Sequence, residues 1–108
     1  MSNFEKLKTF EPLASSLTIK KSPIHGLGLF AVTKISSQTE LGISHVKDVR
    51  FSHGYIRTPL GGFFNHSKKP NCEAVYDGDF IKIITLTNIN LGDEITVDYT
   101  KHDWIKID

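Results

Sequence analysis

The sequence predicts a small, mostly β domain, on three observations. Several segments are rich in Ile, Val, Thr, Phe and Tyr, tight-turn signals separate them, and sustained helical periodicity is almost absent. The first such segment is "LGLFAVTKI" (27–35), entered through Gly26 and Gly28. A middle stretch, "SHVKDVRFSHGYIRTPLGG" (44–62), mixes polarity with glycines and a proline and reads as short strands and loop. In "AVYDGDFIKIITLTNI" (74–89), Asp77-Gly78 lies between two β-prone runs, the short-range signal of a hairpin. A second turn, "NLGDE" (90–94), leads into the last strand segment, "EITVDY" (94–99). On a period of two, Ile95, Val97 and Tyr99 share one face of that strand and Thr96 and Asp98 the other, so Tyr99 is expected to face inward.

Length and composition bound what such a domain does. One domain over 1–108 is expected, and a domain of this size buries roughly 60–70% of the surface its unfolded chain exposes. With 39% hydrophobic and 23% charged residues the chain is globular in character. Thirteen basic and twelve acidic side chains leave a formal charge of +1, which provides no general field for nucleic acid or an anionic membrane, and neither is expected as a partner. The single cysteine, Cys72, makes no internal disulfide and suits a reducing compartment. The opening "MSNFEKLKTFEPLASSLTI" puts charge into every apolar run, so neither a signal peptide nor a membrane span is expected, and an intracellular location is. His25, His45, His53, His66 and His102 show no paired ligand spacing, and no metal is expected.

Three features carry chemistry. In "SPIHGLGLFA" (22–31) the two glycines let backbone approach a ligand, or serve a plain turn equally well. In "GGFFNHSKKPNC" (61–72) Asn65 and His66 follow two Phe residues, so they are partly buried and need partners: their own loop backbone, or the donor and acceptor edge of a heterocycle. In "EITVDY" the Tyr99 hydroxyl is that of a core tyrosine bonded to a carbonyl, or that of a catalytic one.

Taken together and in order, "HGLGLFA" (25–31), "NHSKKPNC" (65–72) and "GDEITVDY" (92–99) make the chain resemble the SET-domain family of protein-lysine methyltransferases, from about Ile19 to Trp104. The resemblance implies a β-clip-like fold of small curved sheets, with the "NHS" and "DY" segments meeting in a knot-like crossing. It implies S-adenosylmethionine as cofactor and a lysine of a protein or peptide as substrate, for a monomer or homodimer in the cytoplasm, or in the nucleus of a eukaryotic host. On the same resemblance, the backbone of Gly26, Leu27 and Gly28 cradles the methionine part of the cofactor. Asn65 meets its amino-acid moiety, His66 helps bind the adenine, and Phe63 and Phe64 give apolar backing. Tyr99 is then both a cofactor contact and the catalytic hydroxyl, with Tyr55 and Tyr76 as candidates for a second hydroxyl in the lysine channel.

Departures from the family pattern are also legible. Gly62 stands where relatives often carry an arginine, and Ala74 and Val97 stand at positions often aromatic around the channel, which would widen it if both line it. The insert between the first two motifs is short, and no cysteine-rich segment follows Tyr99. Trp104, in "TKHDWIKID" (100–108), is either an aromatic lid over the adenine or an anchor for the C-terminus. The shortened insert and the two small residues also keep open a catalytically weak member that holds cofactor or peptide without efficient turnover.

Overall fold

The structure is a computed structural model, and it describes residues 13–51 and 54–101. Trp104, with its lid or anchor role, and the reading of the opening residues 1–12 lie outside the described residues.

Among the described residues, three small sheets make up the fold. Strands β1 (Leu17–Lys21) and β2 (Leu27–Ala31) form an antiparallel hairpin running from Leu17 opposite Ala31 to Lys21 opposite Leu27. Strand β3 (Glu40–Lys47) lies inside a four-stranded antiparallel sheet with β4 (Tyr55–Arg57), β6 (Cys72–Asp77) and β7 (Phe80–Thr85), in the order β4-β3-β7-β6. Two register shifts, between Glu40 and Gly42 and between Ile43 and His45, interrupt the β3–β7 ladder, and such bulges bend and twist a strand. The hairpin expected near Asp77-Gly78 is present as β6 and β7, with Gly78 at φ +61° in the connection. The "NLGDE" turn closes through Asp93 N–H donating to the Asn90 carbonyl at 3.0 Å, with Gly92 at φ +91°.

The third sheet positions the site. Strand β5 (Asn65–His66) pairs in parallel with β8 (Thr96–Val97), Asn65 opposite Thr96 and His66 opposite Val97. Two motifs distant in sequence thus lie side by side. Next to them, Ile95 N–H donates to the Leu29 carbonyl at 2.8 Å and Phe30 bridges Glu94, so the segment before β8 also covers the free edge of β2. Leu29, Ile83, Ile89, Ile95 and Val97, all fully or almost fully buried, join Leu60, Phe64 and Cys72 in the core where these sheets converge.

Two expectations change. The stretch 44–62 holds a short helix, α1 (Pro59–Phe63), as well as β4. Thr58 caps it, its Oγ1 accepting from Gly61 N–H at 3.3 Å, and Pro59 supplies the fixed φ of a first helical residue. The second change concerns 94–99, where the ladder is only two residues long. Ile95, Thr96, Val97 and Asp98 are all buried, so the two-faced alternation gives way. Thr96 is satisfied on the second face by Asn71, whose Oδ1 accepts the Thr96 N–H at 2.9 Å and whose own N–H donates to Thr96 Oγ1 at 3.2 Å. Tyr99 opens a 3₁₀ turn (Tyr99–Lys101), in which Asp98 Oδ1 accepts from Thr100 N–H at 2.9 Å.

Candidate functional site

A cleft of about 530 Å³ lies where the three sequence motifs meet. The β1–β2 hairpin contributes His25, Gly26 and Leu27 to it, and α1 with the residues after it contributes Gly61 to Asn65. Tyr99 closes one side, and His45 and Arg57, directly paired across β3 and β4, form another. No carboxylate lines it among the described residues, and its cationic or potentially cationic groups are Arg57, His25 and His45.

The two glycines of the hairpin have different tasks. Gly26 turns the chain at φ +48°, and a Cβ added there would meet nothing within 4 Å, so its need is conformational. Gly28 has ordinary backbone angles, but a Cβ there would collide with Glu94 Oε2 and come within 3.1 Å of Asn65 Nδ2. Gly28 therefore leaves room for the Glu94 carboxylate and the Asn65 amide packed against β2.

Asn65 is only 8% exposed. Its Nδ2 donates to Glu94 Oε2 at 2.7 Å and has Ser22 Oγ and the His25 carbonyl within 3.2 Å. A carboxylate and a carbonyl only accept hydrogen bonds, so this end of the amide must be the nitrogen. Its Oδ1 receives no donor from the described residues. A buried acceptor without a donor at the edge of a cleft is a place for a ligand's N–H or O–H.

His66 does not line the cleft; it holds Tyr99. Its Nδ1 accepts the Tyr99 backbone N–H at 2.9 Å, and the two rings pack with centroids 5.1 Å apart. A nitrogen that accepts an N–H carries no proton, so in this arrangement the hydrogen-bearing ring nitrogen of His66 is Nε2. The Tyr99 hydroxyl donates to the Phe64 carbonyl at 2.7 Å and its ring meets Phe64 edge-on at 6.0 Å. Asp98, beside this pair, is held below the usual carboxylate range, chiefly by hydrogen bonding from Thr100.

Of the other residues singled out in the sequence, Val97 is fully buried in the core and Ala74 packs against it; neither lines the cleft. Val97 instead borders a separate, smaller cavity of about 100 Å³, with Cys72, Glu73 and Asp98 among its lining residues. Tyr55 stacks edge-on against His45 with centroids 6.3 Å apart, and Tyr76 is exposed on the edge strand; neither reaches the cleft lining. Conversely, Ser22, His45, Arg57 and Glu94 belong to the site or its support without having been singled out. Ser22 and Glu94 sit within two of the quoted motifs, whereas nothing local in the sequence marks His45 or Arg57 as cleft residues.

Comparisons with known proteins bear on the family and the fold. A family model described as SET domain matches residues 46–100. A SET and MYND domain-containing protein of Dictyostelium discoideum is 40% identical over 50 residues, covering 46% of this chain and 12% of that protein. The chain thus spans only about an eighth of that relative's length. The histone-lysine N-methyltransferase, H3 lysine-37 specific, of Schizosaccharomyces pombe is 27% identical over 117 residues, covering 87% of this chain and 80% of that one. Among solved structures, the SET domain of the RIZ1 tumor suppressor superposes with a TM-score of 0.66 at 16% identity, covering 90% of this chain and 77% of that chain. The methyltransferase domain of human PR domain-containing protein 2 gives 0.64 at 16% identity, covering 79% and 77%. At these identities the structural likeness speaks for the fold.

Proposed function

The chain belongs to the SET-domain family, and on that premise we propose that it is an S-adenosylmethionine-dependent methyltransferase acting on a lysine side chain of an intracellular protein or peptide. The observation that carries this reading is the buried Asn65, whose Oδ1 receives no donor from the described residues, set at a cleft that Gly26, Leu27 and Tyr99 also border.

The residues present fit that cofactor. The Oδ1 of Asn65 suits the donor of an amino-acid moiety, and the exposed backbone of Gly26 and Leu27 permits close approach. His66 offers a ring edge from outside the cleft, and Trp104, outside the described residues, is proposed as a further cover for the adenine. When bound, the cofactor supplies an activated methyl on a positively charged sulfur.

What the chain itself must do is deliver a neutral amine and align it. A free lysine ammonium has a pKa of about 10.4, and burial beside Phe63 and Phe64, in a cleft without a lining carboxylate, disfavours its charged form. The proton can then leave to water without a strong protein base. With its own proton committed to the Phe64 carbonyl, the Tyr99 hydroxyl acts toward an amine N–H as an acceptor, which orients the nitrogen lone pair away from it. Alignment of this kind is the main catalytic contribution of the residues described.

Calorimetric titration of the folded chain with S-adenosylmethionine, followed by a single-turnover assay on a pool of lysine-bearing proteins, tests the proposal. Saturable binding with methyl transfer is expected. No binding by a folded sample would contradict the cofactor assignment, and binding without transfer would leave a holding module in place of an enzyme.

A further inference from the structure

The two faces of the four-stranded sheet differ in what covers them. On β7, Ile83 and Thr85 lie opposite Ala74 and Cys72 of β6 and turn to the core, so Phe80, Lys82 and Ile84, which alternate with them, point the other way. Their cross-strand partners Val46, Ile43 and Val75 share this outer face. Glu40, Glu73 and Asp77 share it too, and Lys82 Nζ reaches Glu40 at 3.2 Å and Asp77 at 2.7 Å across the strands. Three carboxylates to one ammonium leave the face acidic.

It is also hidden to a degree that its described neighbours do not produce. Phe80 is only 3% exposed although it lies outside the core cluster, and the Lys82 side chain is 19% exposed. Side chains stand roughly perpendicular to a sheet, so a Phe and a Lys on an open face would be wetted from above. Among the described strands and helix, β7 packs extensively only against its sheet partners β3 and β6. Helix α1 meets β3 from the core side, where Gly61 abuts Ser44 and His45. The cover must come from elsewhere in the chain or from a partner.

We propose that residues 1–12 dock across this outer face, with Phe4, Leu7 and Phe10 against Phe80 and its apolar neighbours and with Lys6 and Lys8 against Glu40, Glu73 and Asp77. The sequence "MSNFEKLKTFEP" fits both halves of that surface. Phe4, Leu7 and Phe10 recur every third residue, the spacing of one apolar stripe at a period of 3.6, and at that period Lys6 and Lys8 flank the stripe on its two sides. Ser2 and Glu5 have the spacing of a capping box, and Pro12 is a stop signal. The other end of the chain fits worse. Lys101, which leads into residues 102–108, borders Cys72 and Glu73, at the far end of β6 from Asp77 and Phe80. The segment "HDWIKID" also brings two Asp and one Lys to a face that is already acidic. The inference is independent of what the cleft binds. It bears on the cleft through β3 and β4, which turn Val46 and Ile56 outward and the adjacent pair His45 and Arg57 to the cleft, so the docked segment backs one cleft wall.

Zero-length cross-linking tests the contact. The full chain, mixed in equal parts with its nitrogen-15-labelled form, is treated with a water-soluble carbodiimide, which joins an amine to a carboxylate only where the two touch, and the digest is read by mass spectrometry. The Lys82–Asp77 pair, 2.7 Å apart, serves as internal standard. Amide links from Lys6 or Lys8 to Glu40, Glu73 or Asp77 are expected, in peptides of a single isotope. The standard without any such link overturns the inference. So do links of mixed isotope, which assign the face to a second copy, and links from Lys106 in their place, which assign it to the C-terminal residues. A second measurement decides independently of cross-linking yield. Leu7→Asp puts a charge into the apolar stripe and should lower the melting temperature by about 4–8 °C. Thr9→Asp puts the same charge on the side away from the stripe and should lower it by less than half as much. Equal shifts for the two variants would mean that residues 1–12 present no apolar side to the sheet, and would overturn the inference.

Discussion

Asn65 and Tyr99 divide the work of the site, and single substitutions separate their parts. Asn65→Ala deletes the Oδ1 acceptor, and hydrogen bonds to charged groups are worth about 1.5–3 kcal/mol each, so S-adenosylmethionine affinity should fall by about tenfold or more in a calorimetric titration. Unchanged affinity in a folded Asn65→Ala would remove this residue from the cofactor site. Tyr99→Phe keeps the ring against Phe64 and His66 but loses the 2.7 Å bond to the Phe64 carbonyl. Stability should drop by about 0.5–1.5 kcal/mol, the ordinary worth of one such bond. If the hydroxyl also orients the amine, the rate of methyl transfer should fall roughly 30- to 1000-fold, about 2–4 kcal/mol, with cofactor affinity changing far less. Measuring melting temperature, affinity and transfer on the one variant separates these effects, and a stability loss with turnover intact would make Tyr99 a core residue.

At the scale of elements, α1 and β3 meet backbone to backbone. A Cβ on Gly61 would collide with the Ser44 carbonyl, whereas a Cβ on Gly62 meets nothing within 4 Å. Gly61→Ala should therefore destabilise the fold by about 1–3 kcal/mol in chemical denaturation, while Gly62→Ala, in the same helix, should be neutral or stabilise it by up to about 1 kcal/mol. Equal effects at the two positions would mean that α1 does not pack on β3 as described. This helix was not legible in the sequence, since five residues containing two glycines show no helical period, and only the Thr58-Pro59 start signal marks it. The β6–β7 hairpin was legible because its β-branched runs and Asp77-Gly78 act locally. The burial of both faces at Thr96–Val97 was not, because it depends on Asn71 and on β5, contributed from more than twenty residues away.

Across the whole molecule, the three motifs were readable as a set because each is contiguous, while Ser22 meets Glu94, and His45 meets Arg57 at the cleft, only once separate strands and loops come together. The same convergence buries Cys72, whose thiol is pushed up from 9.0 to about 12 by desolvation. The native thiol should thus resist alkylation at pH 8 and react once the chain is unfolded. Because the unfolded chain releases this proton near pH 9 and the folded chain retains it to about 12, Cys72 should make stability fall with rising pH across that window and contribute no slope below it. Cys72→Ala should flatten that part of the profile, and an identical alkaline slope in the two proteins would show the thiol to be open to water. The methyl-transfer proposal itself is tested most directly by mass spectrometry of lysine-bearing proteins incubated with the chain and S-adenosylmethionine carrying a deuterated methyl group. Deuteromethyl on lysine Nζ is expected, abolished or strongly reduced with Asn65→Ala and Tyr99→Phe. A folded, cofactor-binding wild type that leaves every lysine unlabelled, or that labels them no faster than the two variants do, would contradict it.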